Sequence, residues 1–360
     1  MRITFVLPDV TPTPNGGVRV IYEYANRLAR RNHAVTVVHP RTWVPMQGAL
    51  QRLKAAAWPV SVRMRYGGPV PWMPIDPAVK QLLVPDLRAL HLPEADVVVA
   101  TFFRTAPYVF DLPASRGSKF YLIQHYETWA GPKEEVDATW MLPMHRIVIS
   151  QWLAEIAEAL KTPGSTTYIP NGLDLDGLYV EEPAGIASRT KSVAMLYHKQ
   201  QMKGSAEGIA ALVRVKQQVP ELSASLFGTS ERGPEIPDWV TYTQLPSRDA
   251  LRHIYNSAAL FLQPSQSEGW GLTSTEAMAC GCALITTDNG GSQDFARHGD
   301  TALVCAVGDV DAMAAHILQL LDAPELLHRI AASGEQCARQ FTWERAVDSI
   351  ERAFSTSQTE

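Results

Sequence analysis

Pro264-Ser-Gln-Ser-Glu268-Gly-Trp-Gly-Leu-Thr-Ser-Thr-Glu276-Ala-Met-Ala-Cys-Gly281 carries the change of pattern on which the reading of this chain turns. An apolar run at 259–262 ends just before it. Gly269 and Gly271 interrupt any helix at its centre, and a helical pattern starts near Leu272. Glu268 is therefore expected in a loop and Glu276 in the first turns of a helix. The unpaired amides of a helix start, at the positive end of its dipole, suit an anion such as a diphosphate. Two flanking carboxylates suit hydroxyl groups, one those of a sugar and the other a ribose diol. Thr273-Ser-Thr-Glu276 reads equally well as a capping box, with Glu268 an ordinary surface residue.

Outward from this stretch the same strand–loop–helix unit recurs. In the second half, 192–197, 224–227, 240–243, 259–262, 283–286 and 302–306 are strand candidates, with helical patterns at about 204–218, 247–257, 272–280 and 309–322. In the first half, 3–7, 34–39, 95–100, 120–124, 147–149 and 166–169 have strand character. Residues 18–31 show helical spacing there, and Ser150 is placed to cap a helix running to Leu160. Two runs of alternation predict an α/β protein with two parallel, helix-covered sheets. Ligands of such sheets bind beyond the carboxyl ends of the strands. The polar link at 181–190 sets the expected division: residues 1–185 as one domain, 186–340 as the second, and a closing helix at 341–356 with no strand after it.

Size and composition agree. A chain of 360 residues with 46% hydrophobic and 19% charged residues is a globular protein long enough for two cores. A net charge of −5 gives no reason to expect nucleic acid as a partner. The charge is uneven, because no Asp or Glu occurs from Tyr24 through Ile75, where Arg27, Arg30, Arg31, Arg41, Arg52, Lys54, Arg63 and Arg65 stand with Trp43, Trp58 and Trp72. Such a segment suits an anionic membrane or acceptor, or else simply carries solvated arginines. The four cysteines, Cys280, Cys282, Cys305 and Cys337, lack zinc-site spacing and read as buried reduced thiols. The N-terminal apolar run is too short for a signal peptide or a membrane span, and a cytoplasmic location is expected.

The pattern E-G-W-G-L-x-x-x-E-A-M-A-x-G closely resembles the E-x7-E signature of glycosyltransferase family 4, the retaining GT-B glycosyltransferases. The resemblance implies a GT-B fold, with two Rossmann-like domains facing across a donor-binding cleft. It assigns the transferred sugar to Glu268 and the ribose hydroxyls to Glu276. The amides around Gly269, Trp270, Gly271, Leu272 and Thr273 would reach sugar hydroxyls and phosphate. Asn15-Gly16-Gly17-Val18 resembles the family's G-G-V loop over the diphosphate. Lys203-Gly204 matches the family's Lys-Gly, but the position of its preceding Arg holds His198, with Lys199 beside it. An imidazole does not replace a guanidinium fork, so the source of the second cation stays open. His125, in Gln124-His-Tyr-Glu127, matches a histidine that faces the donor sugar. Pro170-Asn-Gly-Leu-Asp174 is similar to the family's interdomain turn, and Phe341-Thr-Trp343-Glu344 to the start of a helix that crosses back to the first domain.

Asp174-Leu-Asp176 and Asp309-Val-Asp311 spell the D-x-D metal motif of single-domain transferases. They read better as a turn and a helix cap. The expectation is a retaining, metal-independent hexosyltransferase without a cofactor. It would use a UDP-, GDP- or dTDP-sugar and a saccharide, lipid-linked or small-molecule acceptor, with peripheral contact to an anionic membrane as a further expectation. A sugar-nucleotide 2-epimerase of the same fold and a non-catalytic nucleotide-sugar-binding protein remain alternatives.

Overall fold

A computed structural model describes residues 1–44, 49–181, 189 and 191–356, with the side chains of 49–56 set aside. The chain forms two compact units, one from Met1–Pro170 with the stretch from Trp343 onward, the other Asn171–Thr342. The division expected after residue 185 falls outside the described residues. Residues 171–181 already belong to the second unit. Leu173 N donates to Phe341 O at 2.8 Å, Asp174 pairs with Arg248 at 2.5 Å, and Asn256 Nδ2 donates to Tyr179 O at 3.0 Å.

The first unit holds strands β1 (Arg2–Val6), β2 (Ala34–Pro40), β3 (Lys80–Val84), β4 (Val97–Ala100), β5 (Ser118–Ile123), β6 (His145–Val148) and β7 (Thr166–Tyr168). They form a parallel sheet in the order β3-β2-β1-β4-β5-β6-β7. Its helices are α1 (Gly16–Arg30), α2 (Ala49–Tyr66), α3 (Ala106–Phe110), α4 (Lys133–Trp140) and α5 (Gln151–Ala159). The second unit holds β8 (Ser192–Leu196), β9 (Ser223–Gly228), β10 (Val240–Gln244), β11 (Leu260–Gln263), β12 (Ala283–Thr287) and β13 (Ala302–Cys305), all parallel, in the order β10-β9-β8-β11-β12-β13. Its helices are α6 (Ser205–Gln218), α7 (Arg248–Ser257), α8 (Leu272–Ala279), α9 (Val310–Asp322) and α10 (Pro324–Ala338). The last helix, α11 (Trp343–Thr356), belongs to the first unit.

The interior strands are mostly apolar because helices cover both faces. β4 reads Val-Val-Val-Ala with every residue buried, and in β12 all five residues are buried. Polar side chains set the helix starts: Asn15 Oδ1 accepts from Val18 N at 3.1 Å, Ser247 Oγ from Ala250 N at 3.2 Å, and Asp309 Oδ1 from Ala312 N at 2.9 Å. Asp309 thus caps α9 as expected. Asp174 pairs with Arg248 and accepts from Gly177 N at 3.3 Å. All four cysteines are buried thiols.

Helix α11 joins the first unit through its apolar face. Trp343 meets Tyr24 edge-on at 5.3 Å, and Phe354 meets Phe120 at 4.8 Å. The same helix supplies acids to the basic segment: Arg31 pairs with Asp348 at 2.6 Å and with Glu351. Arg27 pairs with Glu23, and Arg30 with Asp76 at 3.1 Å. The acid-free run is therefore not one cationic surface, since Glu23 of the same helix neutralises Arg27 and acids distant in sequence neutralise Arg30 and Arg31. Arg63 and Arg65 are exposed, and the Arg52 and Lys54 side chains lie outside the described residues. No helix among the described residues is long and apolar enough to cross a membrane.

Candidate functional site

Each sheet reverses its strand order once, and in such folds the reversal point opens a crevice at the carboxyl ends of the strands. In the second unit the reversal lies between β8 and β11. The segment after β8 carries His198, Lys199 and Lys203, and the segment after β11 carries Pro264 to Gly271. The two are pressed together at Gly204. Its φ of +64° is left-handed, and a Cβ there would stand 2.7 Å from the Pro264 carbonyl carbon and nearer still to its oxygen. Gln266 N also donates to Met202 O at 2.7 Å.

This contact delivers Lys203 to Glu268. Lys203 Nζ donates to Glu268 Oε1 at 2.8 Å and to Oε2 at 2.9 Å. Gln263 Nε2 donates to Oε1 at 2.9 Å and Ser265 Oγ to the same oxygen at 2.8 Å. Thr273 Oγ1 donates to Gln263 Oε1 at 3.2 Å, which fixes the amide orientation and ties it to the start of α8. The backbone around Glu268 is held by the loop after β12. Glu268 N donates to Asn289 O at 2.9 Å, and Gly291 N to Glu268 O at 3.0 Å. A Cβ at Gly291 would stand 2.6 Å from Trp270 N and 2.8 Å from Glu268 O. Loops of three adjacent strands, β8, β11 and β12, thus orient one buried carboxylate.

His198 has a defined tautomer. Its Nδ1 accepts from Gln200 N at 3.0 Å, so a neutral ring carries its proton on Nε2. Burial, and then the charge of Lys203, push its pKa below the ordinary histidine value, with Glu268 opposing. His198 is accordingly a neutral N–H donor near pH 7 rather than a second cation, while Lys199 is exposed beside it. Gly271, at φ +102°, caps α8 without any side-chain bond, so the alternative capping box at Thr273–Glu276 does not form. The first-turn amides of Leu272 and Thr273 lie at half-buried positions and lack intrahelical acceptors. Gly269 and Trp270 are buried, and Trp270 packs on Phe295 at 5.5 Å and Phe341 at 4.9 Å. Glu276 is buried on α8, where Tyr255 Oη donates to its Oε2 at 3.1 Å.

The remaining candidates lie in the first unit. Gly16 and Gly17 are not a loop but the first turn of α1, because Asn15 caps the helix ahead of them. Gln124 Nε2 donates to Gly17 O at 3.1 Å, bringing the segment after β5 to that turn. His125 Nδ1 donates to Tyr126 O at 3.0 Å, and its ring meets Trp152 edge-on at 5.8 Å.

In the same segment Glu127 is buried, and its Oε2 accepts from Phe103 N at 2.7 Å. Burial raises its pKa to about 8, against an ordinary value of 4.5. The folded chain therefore keeps this proton where the unfolded chain has lost it, and stability falls as pH rises from about 4.5 to about 8. Glu127→Gln keeps an acceptor for Phe103 N and carries no charge. Its melting midpoint is expected above that of the wild type at pH 8.5 by about 5–10 °C, with the gap closing toward pH 5. A gap of the same size at both pH values would contradict this account.

The sequence reading missed Gln263, Ser265, Tyr255 and Gly291. Gln263 had a local signal, being a polar residue that ends an apolar strand. Tyr255 and Gly291 had none.

Two family models match the chain: "Glycosyltransferase Family 4" over residues 14–176 and "Glycosyl transferases group 1" over residues 184–336. The chain is 34% identical to the O-antigen chain mannosyltransferase B of Escherichia coli over 129 residues, which is 36% of this chain and 33% of that one. The matched part thus spans about a third of that relative's length. It is 25% identical over 95% of both chains to the GDP-mannose-dependent alpha-(1-6)-phosphatidylinositol monomannoside mannosyltransferase of Mycobacterium tuberculosis. Among solved structures, Anabaena HepE in complex with UDP-glucose superposes with a TM-score of 0.73 at 17% identity, covering 99% of this chain and 100% of that one.

Proposed function

As the chain belongs to the GT-B glycosyltransferases, with group 1 and family 4 models matching its two halves, we propose that it is a retaining hexosyltransferase. In this reading it moves a hexose or deoxyhexose from a nucleoside-diphosphate sugar to a saccharide, lipid-linked or small-molecule acceptor, without a metal, in cell-surface polysaccharide synthesis. The observation that carries the reading is the Lys203–Glu268 pair at the strand reversal of the second unit, beside the Gly271-capped start of α8. An anion is attracted to free helix amides and a fixed cation, and a carboxylate held by Gln263 and Ser265 is presented to hydroxyl groups.

Transfer breaks the bond between the anomeric carbon and a diphosphate oxygen. The acceptor hydroxyl oxygen forms the new bond to that carbon, and its proton passes to the departing diphosphate oxygen. Negative charge grows on the leaving diphosphate, where Lys203, the His198 Nε2–H and the amides of Leu272 and Thr273 stabilise it. In this reading Glu268 holds the sugar and Glu276 the ribose, and the family resemblance makes Gly16, Gly17 and His125 further donor contacts. Metal independence is supported by the use of both D-x-D stretches within the fold, Asp309 as a cap and Asp174 in its pair with Arg248. Both relatives are named mannosyltransferases and one is GDP-mannose-dependent, which makes GDP the first nucleotide to try.

The test is thermal denaturation with GDP, UDP, dTDP and ADP, each with and without EDTA. A ligand at 100 times its Kd adds about 2.7 kcal/mol, or several degrees of midpoint. One nucleotide is expected to shift the wild type regardless of EDTA and to leave Glu276→Ala unshifted. No shift with any nucleotide would contradict the transferase reading, and conversion of the donor sugar without an acceptor would replace it with an epimerase.

A further inference from the structure

The first unit has its own strand reversal, between β1 and β4, and four neighbouring strands, β2, β1, β4 and β5, end side by side around it. The segments leaving them build an aromatic platform. After β2, Trp43 is anchored by its Nε1, which donates to Pro8 O, after β1, at 2.7 Å. After β4, Phe102 meets Trp43 at 6.3 Å between ring centres. The Arg104 guanidinium lies over Trp43 at 5.1 Å and over Phe103 at 5.3 Å. Its Nη2 donates to Ala130 O, after β5, at 3.0 Å.

The turn that carries Arg104 is fixed in advance. Glu127 Oε2 receives Phe103 N, and Thr105 Oγ1 receives Thr101 N and Phe102 N at 3.3 Å each. Thr101 Oγ1 in turn donates to Val6 O at 2.8 Å.

Arg104 is exposed and, among the described residues, pairs with no carboxylate. Arg27, Arg30 and Arg31 in the same unit all do. A guanidinium whose faces are taken by rings keeps its in-plane N–H donors at the edge, the geometry that matches a carboxylate or a phosphate. Trp43 and Phe102 are half-buried, and the ring surface they leave open suits the apolar face of a sugar or polyol ring.

Resting on the transferase reading above, we infer that this crevice is an acceptor subsite. Arg104 there selects an acceptor that carries a phosphate or carboxylate on a sugar or polyol ring laid against Trp43 and Phe102.

Ligand-observed NMR titrations without nucleotide test this, using glucose 6-phosphate, methyl glucuronide and methyl glucoside as probes. At least one anionic probe is expected to bind wild type roughly tenfold or more tighter than methyl glucoside, the scale of a charge-assisted hydrogen bond. Which one does so distinguishes phosphate from carboxylate. The preference is expected to fall below about threefold in Arg104→Gln and to be intermediate in Arg104→Lys, which keeps the charge without the fork. Equal binding of all three probes, binding of none, or a preference that survives Arg104→Gln would overturn the subsite. Nucleotide melting shifts on the same samples separate the two readings. A wild type that shifts with a nucleotide but shows no Arg104-dependent preference overturns the subsite alone, whereas a missing shift counts against the transferase.

Discussion

Lys203→Met is expected to lower the turnover of glycosyl transfer by about 10²–10³-fold while the fold stays intact. Lys203 is the charged group beyond β8 that is held against Glu268, and in the proposed reaction it faces the oxygen on which negative charge grows. Removing such a donor raises the barrier by about 3–4 kcal/mol. The structural consequence is smaller. Glu268 keeps Gln263 Nε2 and Ser265 Oγ as donors, so its carboxylate is not stripped of partners. The measurement is release of nucleoside diphosphate from the donor identified by the melting shifts, with acceptor present. A rise confined to KM, with kcat unchanged, would mean that Lys203 binds the ground state and the transition state equally. An unaltered kcat/KM would remove it from the site.

The second large effect concerns the backbone. Gly204→Ala is expected to cost roughly 4 kcal/mol or more, lowering the melting midpoint by on the order of 10 °C. A left-handed φ penalises any side chain there, and the added carbon would collide with the carbonyl of Pro264, a backbone group that cannot swing aside. The strain falls on the contact that brings Lys203 to Glu268, so the nucleotide-induced shift should be lost as well. Gly17→Ala is the control. Its added carbon would find nothing nearer than the Asn15 and Gln124 side chains at 3.5 Å, and near-wild-type stability is expected. Equal loss in the two variants would mean that packing at Pro264 has no special part.

These two glycines show where the sequence could be read and where it could not. Both Gly17 and Gly204 follow a parallel strand and resemble family loops, yet one sits with ordinary room in a helical turn and the other is locked against a distant carbonyl. Local sequence was enough for the alternation of buried strands and helices, for the glycine-interrupted loop before α8, and for the caps at Ser150 and Asp309. Those features depend on neighbours within one or two turns, and short-range periodicity records them. β3 escaped because it is a short edge strand that begins with exposed Lys80 and Gln81 and buries little.

Tertiary structure alone decided the ownership of charges. Lys203 and Glu268 meet because the sheet places β8 beside β11, skipping β9 and β10, and no local pattern encodes that neighbourhood. The same holds for Arg31, neutralised by acids of α11, and for Arg104, left among aromatic rings without an acid among the described residues. His198 follows the same rule, since its neutrality comes from burial beside Lys203 and its tautomer from Gln200 N. The physical reason is range. Hydrophobic periodicity repeats along the chain and is legible in it, whereas a charge is set by whatever folding brings within a few ångströms.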